Sequence, residues 1–473
     1  MAETMKLDTV VPEPSGAVVF GAGAEVIGPR RRRSRWAAAL IFLGGWMTAM
    51  IATADSPHSS GSTEPSGSVR NSAIQRSGDS IASRFDEQFA ALREAVRGKR
   101  VGMLTNPSGV GPDLRQTADL LWSDSETTIT AFFAPEHGLR GDHQAGAQVQ
   151  DYIDPHTGVP VFSIYGVRRA PTDEQLALID VLVFDIQDVG VRFYTYVWTM
   201  TFAMEACAKN GKEFIVFDRP NPIGLDRVEG HPNPQDYGLI GRKWPEAPWG
   251  VATRHGLTAG ELARLVNAEW MNPKVNLTVI AVPGLTRRTG WEQTGRLWVL
   301  PSPNMPTLDT ARLYPGLCVF EGSNVSEGRG TTKPFELIGA PWVDGVALAA
   351  AMNARALPGV RFRAAWFTPT FSKHAGVLCG GVQVHITDPA ALDPIRTGLA
   401  LLQQIYQMYP AETQITDYAG RLMGDPALPE EIKTRPVEEI VAGWEADLNA
   451  FRAVREKHLI YGDQPRPSGL MVK

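Results

Sequence analysis

TITAFFAPEHG, residues 128–138, is a run of apolar and β-branched residues that stops abruptly at a proline, a glutamate, a histidine and a glycine. Its apolar side chains are consecutive rather than alternating, the pattern of a strand covered on both faces. Similar runs stand on either side of it, at 101–104, 159–164, 181–184, 214–217 and 275–282. Between them lie stretches with helical spacing of apolar residues, at 114–122, 174–179, 197–209 and 258–271, and another precedes them at 85–96. The 258–271 stretch opens on Thr258-Ala-Gly-Glu261, a capping box whose two side chains satisfy free amides at a helix start. Strands alternating with helices predict a parallel sheet covered on both faces, a Rossmann-like α/β domain over about 83–300. LTNPSGVG, not G-x-G-x-x-G, follows the first strand, so no dinucleotide or other cofactor is expected.

The texture changes after Pro301. PSPNMPTLDTARLYPG is Pro-rich and reads as a crossover into a smaller α+β domain over 301–473. That domain is expected to hold an Ala-rich helix at 345–355, strands at 360–367 and 380–386, and two late helices at 395–408 and 437–457. At the other end, Arg30–Arg35 precede an apolar run, Trp36–Ile51, and then Ala52-Thr53-Ala54. A basic segment, a short apolar core and an Ala-x-Ala site make residues 1–54 a signal peptide, with an uncleaved membrane anchor as the alternative. Residues 55–80, rich in Ser, Gly and Pro, read as a disordered linker.

Composition narrows the function. Of 473 residues, 43% are hydrophobic and 21% charged, which excludes both wholesale disorder and a multi-span membrane protein. Without residues 1–54, which hold six basic and four acidic residues, the balance is 40 basic against 47 acidic. A mildly acidic body argues against nucleic acid as a partner. Three cysteines make no disulfide framework and read as buried small hydrophobes. His137 and His143 lie six apart and Asp185 and Asp188 three apart, matching neither H-E-x-x-H nor a cysteine-based zinc site, so no metal is expected. No G-x-S-x-G is present to supply a serine nucleophile.

Ligands of an open parallel sheet bind outside the carboxyl ends of its strands. Those ends here are Thr105-Asn106, Pro135-Glu136-His137-Gly138, Asp185-Ile186-Gln187-Asp188 with Arg192, Tyr194 and Tyr196 beyond, and Asp218-Arg219-Pro220-Asn221. Any one such polar residue is ordinarily a cap or turn former, but four ends together describe a cleft for a polar substrate. Glu136 stands out. A carboxyl beside so apolar a strand has its pKa raised by desolvation, which suits a general acid. Structural pairing with Arg140 or Arg219 is the alternative. A second cluster, Glu321, Asn324, Glu327 and Arg329, sits among Gly322, Gly328 and Gly330, where backbone can approach a ligand closely or simply form a hydrogen-bonded hairpin loop.

The strings GKRVGMLTNPSGV (98–110), FFAPEHGLRG (132–141), VFDIQDVGVRFYTY (183–196), FDRPNPIG (217–224), RHGLTAGEL (254–262) and PSPNMPTLDTARLYPGLCVFEGSNVSEGRGTTKPFE (301–336) together resemble the NamZ family of bacterial exo-β-N-acetylmuramidases. The resemblance spans about 98–342. It implies an active site in the cleft between the two domains, and an exported enzyme, periplasmic or extracellular, that releases N-acetylmuramic acid from non-reducing ends of peptidoglycan fragments. Its partners would be muropeptides or the MurNAc-GlcNAc disaccharide, and a membrane only if the N-terminal segment stays uncleaved. The family's proposed catalytic glutamate falls on Glu136, with His137 beside it. Glycoside hydrolysis needs a second carboxylate, for which Asp185, Asp188, Glu321 and Glu327 are candidates unless the substrate's own acetamido group attacks. The lactyl carboxylate needs a cation, for which Arg192, Arg219 and Arg329 are candidates. Asn106, Tyr194, Asp218, Asn221 and Asn324 complete the expected substrate contacts. Two other readings stay open: an exported, non-catalytic receptor for wall fragments, and a metal-dependent hydrolase of another polar substrate.

Overall fold

The computed structural model describes residues 80–141, 150–232, 250–466 and 469–473, so the expected signal segment and linker lie outside the described residues. Among the described residues, eleven strands form two sheets. The strands are β1 (Arg100–Thr105), β2 (Thr128–Ala134), β3 (Tyr152–Ile153), β4 (Pro160–Ser163), β5 (Val181–Asp185), β6 (Glu213–Phe217), β7 (Asn276–Ile280), β8 (Leu337–Ala340), β9 (Val360–Phe367), β10 (Cys379–Ile386) and β11 (Met471–Val472). The large sheet runs β11-β7-β6-β5-β1-β2-β4-β3, parallel from β7 to β4 and antiparallel only at its two short edge strands.

Helices cover both faces, as the consecutive apolar runs require. Phe132 and Ala134 of β2, Val101 and Met103 of β1 and Ile215 of β6 pack with α1 (Phe85–Val96) and α2 (Thr117–Trp122). The alternate residues Ala131, Phe133, Leu104, Phe214 and Val216 face the larger core. That core includes α3 (Asp173–Leu176), α4 (Tyr196–Lys209) and α5 (Ala259–Glu269). Thr258 caps α5 in the expected box, with Glu261 reaching back to the Thr258 amide. Strand order reverses between β1 and β5: β2 and β4 extend to one side, β6 and β7 to the other. The loops after β2, β1, β5 and β6 are therefore neighbours at one edge.

Beyond α6 (Trp291–Thr294), the second region departs from expectation in its helices. The Pro-rich segment expected as a crossover contains α7 (Leu308–Leu317), with Pro315 inside its last turn and Thr307 as its cap. It packs on α9 (Pro394–Met408), where a side chain on Gly316 would meet the Pro394 carbonyl and one on Gly398 the Gly316 carbonyl. The small sheet, β8-β10-β9, is antiparallel and carries α8 (Gly345–Ala354). Two short helices, α10 (Asp417–Met423) and α11 (Leu428–Thr434), precede the final stretch. The helix expected over 437–457 is divided at Trp444 into α12 (Val437–Gly443) and α13 (Glu445–Arg455). The chain then returns to the large sheet. β11 pairs with β7, and the Tyr461 hydroxyl donates to Asp218 while accepting from the Val282 amide. All three cysteines are buried free thiols. No described helix is long and apolar enough to cross a membrane.

Candidate active site

Glu136 leaves the end of β2 on a tight turn in which His137 has φ +74° and Gly138 φ +80°, closed by the Gly138 amide on the Pro135 carbonyl. His137 is buried, whereas Glu136 is half-buried. The turn sends the carboxylate toward two hydroxyls: Tyr165 donates to Oε1 at 2.8 Å and Thr195 to Oε2 at 3.0 Å. Tyr165 follows β4 and Thr195 precedes α4, so three elements fix one carboxyl group. Burial, and then the charge of Glu136, push the Tyr165 phenol well above its usual pKa, so it stays a donor. The Tyr196 hydroxyl donates to the Pro301 carbonyl at 2.5 Å, and Asn106 Nδ2 approaches the same carbonyl at 3.5 Å. Asn106 Oδ1 in turn accepts from the amide and hydroxyl of Ser108.

The acids after β5 have separate fates. Asp185 is fully buried and accepts from Arg219 Nε at 2.6 Å; Arg219 also donates to the Val110 carbonyl at 3.0 Å. A second buried guanidinium, Arg296, stands close by. Burial and the charge of Arg219 lower its pKa to about 9, against the pull of Asp185. Asp188 accepts from the Gly190 amide at 2.6 Å through Oδ2, while Oδ1 has no protein partner. Burial pushes its pKa up to about 7, against two backbone amides that favour the ionised form. His255 Nε2 lies 3.9 Å from Asp188 Oδ2, too far for a hydrogen bond. Nδ1 of His255 accepts from the Leu257 amide, so Nε2 carries the proton, and burial lowers the ring's pKa to about 3.

Several expected substrate contacts serve the fold instead. Asp218 accepts from Thr258, Tyr461 and the Gly260 amide at the start of α5. Asn221 spans the Leu257 carbonyl and the Ile223 amide, against Gly190, which has φ +77° and no room for a Cβ. Arg192 is 1% exposed and reaches Thr253 and the Leu422 carbonyl; burial lowers its pKa to about 9. Asn324 is tied to the backbone of Glu412 and Gln414.

The second cluster is knit by charge. Arg329 donates to Glu321 at 2.5 Å, lies 3.4 Å from Glu327 and stacks 5.0 Å over Phe335. Lys373, on the β9–β10 loop, completes it with 2.8 Å to Glu327 and bonds to two carbonyls. Burial raises the Glu321 pKa against the pull of Arg329. A ladder of edge-on rings, Tyr196–Tyr194–Tyr314–Phe335, joins this cluster to the Glu136 rim, with centroids 5.1, 6.0 and 4.7 Å apart. Tyr194 stands between the charges, its phenol raised by burial and then by Tyr196, Asp188 and Glu136. Among the described residues, no three His, Cys, Asp or Glu side chains converge as a metal site requires; His143 lies outside them. The sequence reading did not single out Tyr165, Thr195, His255, Tyr314 or Lys373. Tyr165 sits just past β4, and Thr195, His255 and Tyr314 lie within the strings that carry the family resemblance; Lys373 had no such signal.

Residues 101–309 match the family described as exo-beta-N-acetylmuramidase NamZ, N-terminal, and residues 312–461 its C-terminal counterpart. The chain is 44% identical over 380 residues to the peptidoglycan beta-N-acetylmuramidase NamZ of Bacillus subtilis strain 168, covering 80% of this chain and 90% of that protein. Two crystal structures of DUF1343 family proteins from Bacteroides fragilis share the fold. One has a TM-score of 0.71 at 35% identity over 81% of this chain and 98% of its own; the other has 0.63 at 29% over 81% and 99%. With both halves matched in order and the sheet of the fold in place beneath them, the chain belongs to the NamZ family of exo-β-N-acetylmuramidases.

Proposed function

We propose that the chain is an exo-acting glycoside hydrolase that releases N-acetylmuramic acid from the non-reducing ends of muropeptides or the MurNAc-GlcNAc disaccharide, with Glu136 as its acid. The observation that carries the assignment is the setting of Glu136. It stands at the strand end beside the reversal of sheet order, half-buried, with each oxygen fixed by a hydroxyl. A carboxyl held in one orientation yet open to solvent is placed to give its proton to the glycosidic oxygen as the C1–O bond breaks. The reading puts the enzyme outside the cytoplasm, with its wall substrate.

Among the other carboxylates, Asp185, Glu321 and Glu327 are held by cations and Asp218 by hydroxyls and an amide. Asp185 and Asp188 each keep one oxygen without a hydrogen-bond partner, but of the two only Asp188 lacks a paired arginine, and a pKa near 7 suits a base at neutral pH. Asp188 follows β5 and Glu136 follows β2, with β1 between them, so their backbones stand two strand spacings apart, about 10 Å. In the proposed step Asp188 would take a proton from a water as its oxygen bonds to C1 and the C1–O bond to the leaving group breaks. The proposed cleft would run between this rim and the Glu321–Arg329 loop, which the buried aromatic ladder links.

The test is p-nitrophenol release from p-nitrophenyl β-N-acetylmuramide, with the N-acetylglucosaminide beside it. Glu136→Gln should lower kcat by about 100-fold or more while calorimetric binding of MurNAc-GlcNAc persists. Binding without turnover by the unaltered protein would favour the receptor reading. Loss of turnover with chelator would favour the metal-dependent hydrolase.

A further inference from the structure

N-acetylmuramic acid differs from N-acetylglucosamine by a lactyl ether on C3, two ring atoms from the carbon at which the bond breaks. A site that tells them apart needs a cation near Glu136 that nothing else in the protein occupies. The arginines expected for this task are engaged. Arg219 is paired with Asp185, Arg192 is buried on Thr253 and Leu422, and Arg329 is paired with Glu321. Arg140 is likewise held by Asp119 and Asp154. A cavity of about 240 Å³ beyond β6 is lined by Arg254, Arg287 and Arg312, but these are spent on Glu229, Glu261 and Glu292.

Arg169 differs from all of them. It lies on the β4–α3 loop, four residues after the Tyr165 that donates to Glu136 at 2.8 Å. It is exposed, and among the described residues no carboxylate pairs with it. Its neighbour Arg168 turns back to Asp151 at 2.9 Å and to the Ser163 carbonyl at 3.2 Å, pinning the loop to the end of β4. The anchored loop thus presents one uncommitted guanidinium four residues from the tyrosine that holds the proposed acid. Its charge is felt at the Tyr165 phenol, where it opposes burial and Glu136. A guanidinium fork on a long stem matches a carboxylate bidentately, and a solvent-facing one is not already desolvated around another partner.

We infer that Arg169 recognises the lactyl carboxylate and so sets the preference for muramyl over glucosaminyl ends. The inference rests on the function proposed above and adds to it the residue that reads the substrate's distinguishing group. Because Arg169 is exposed, its removal should leave the fold intact, which an unchanged thermal transition would show.

The experiment is a two-by-two comparison of kcat/KM. The unaltered protein and Arg169→Ala are each assayed on p-nitrophenyl β-N-acetylmuramide and on the same compound with its lactyl carboxylate converted to the amide. Arg169→Ala should lower kcat/KM on the acid by about 10- to 100-fold, the worth of a charge-assisted bond, with Arg169→Lys between. Masking the carboxylate should cost the unaltered protein a similar factor and Arg169→Ala almost nothing, because the partner is already gone. A full masking penalty retained in Arg169→Ala would overturn the assignment, since another group would then be reading the carboxylate. Absence of turnover by the unaltered protein on the free acid would instead refute the function itself, and the inference with it.

Discussion

Asp185→Asn separates a structural acid from a catalytic one. The side chain is nearly isosteric, but it loses the charge that faces Arg219 at 2.6 Å and helps hold Arg296 protonated. Asp185 is fully buried, Arg219 is 4% exposed and Arg296 9%, so water cannot replace the lost charge. The cluster goes from two cations and one anion to two cations alone. Removing one member of a buried pair costs about 3–5 kcal/mol, chiefly through the ion left behind. Spread over the unfolding entropy of a unit this size, that is a fall in apparent Tm of about 4–6 °C. Denaturant unfolding monitored by tryptophan fluorescence reads the free energy, and p-nitrophenol release reads activity at a temperature where both proteins are folded. A second substitution, Arg296→Met, made on top of Asp185→Asn, should recover part of the loss by removing the repulsion between guanidiniums. A variant as stable as the unaltered protein but without turnover would refute the reasoning and return Asp185 to the chemistry.

Three further substitutions have outcomes set by burial and packing. Asp188 has a pKa near 7 when folded, above its value in the unfolded chain, so the folded state binds the extra proton between about pH 4 and 7. Stability should therefore fall as pH rises through that window, and Asp188→Asn should flatten the fall in denaturation midpoints measured at pH 5 and pH 8; an unchanged slope would remove Asp188 as its source. Gly316→Ala would place a methyl 1.6 Å from the Pro394 carbonyl, forcing α7 and α9 apart at a cost of about 3 kcal/mol or more by denaturation. Gly443→Ala, where nothing lies within 4 Å, should be neutral or slightly stabilising.

The large sheet was legible because a strand buried on both faces writes itself as an unbroken apolar run, and β1, β2, β5 and β6 all do. Helices of the second region were harder to read. Pro315 and the prolines before it mask α7, and the apolar pattern over 437–457 continues through Trp444, where the backbone turns and Trp444 instead sends its indole to Asp425. Strand ends located Glu136 but gave no way to rank the polar residues there. Asp185, Asp188 and Asp218 all stand at strand ends, yet one neutralises an arginine, one holds the start of a helix and one has no arginine to pair with. That division depends on Arg219, Tyr461 and Gly260, which arrive from elsewhere in the chain. Thr195 meets Glu136 across 59 residues, a contact no local pattern encodes.

The return of β11 to β7 also decides where the molecule can be held. Residues 80–82 rest against Gly284 and Gly295, and residues 470–472 run beside 279–281, so both ends of the described chain emerge at one corner. Closely spaced ends of this kind can be bridged by a short linker and the chain reopened elsewhere, giving circular permutants whose architecture is unaltered. The corner lies beyond β7, itself four strand spacings or roughly 19 Å across the sheet from β2, which leads into Glu136. Immobilisation through either end would leave the β2–β4 flank facing outward, so a glycan too large to diffuse would still meet the proposed acid from the untethered side.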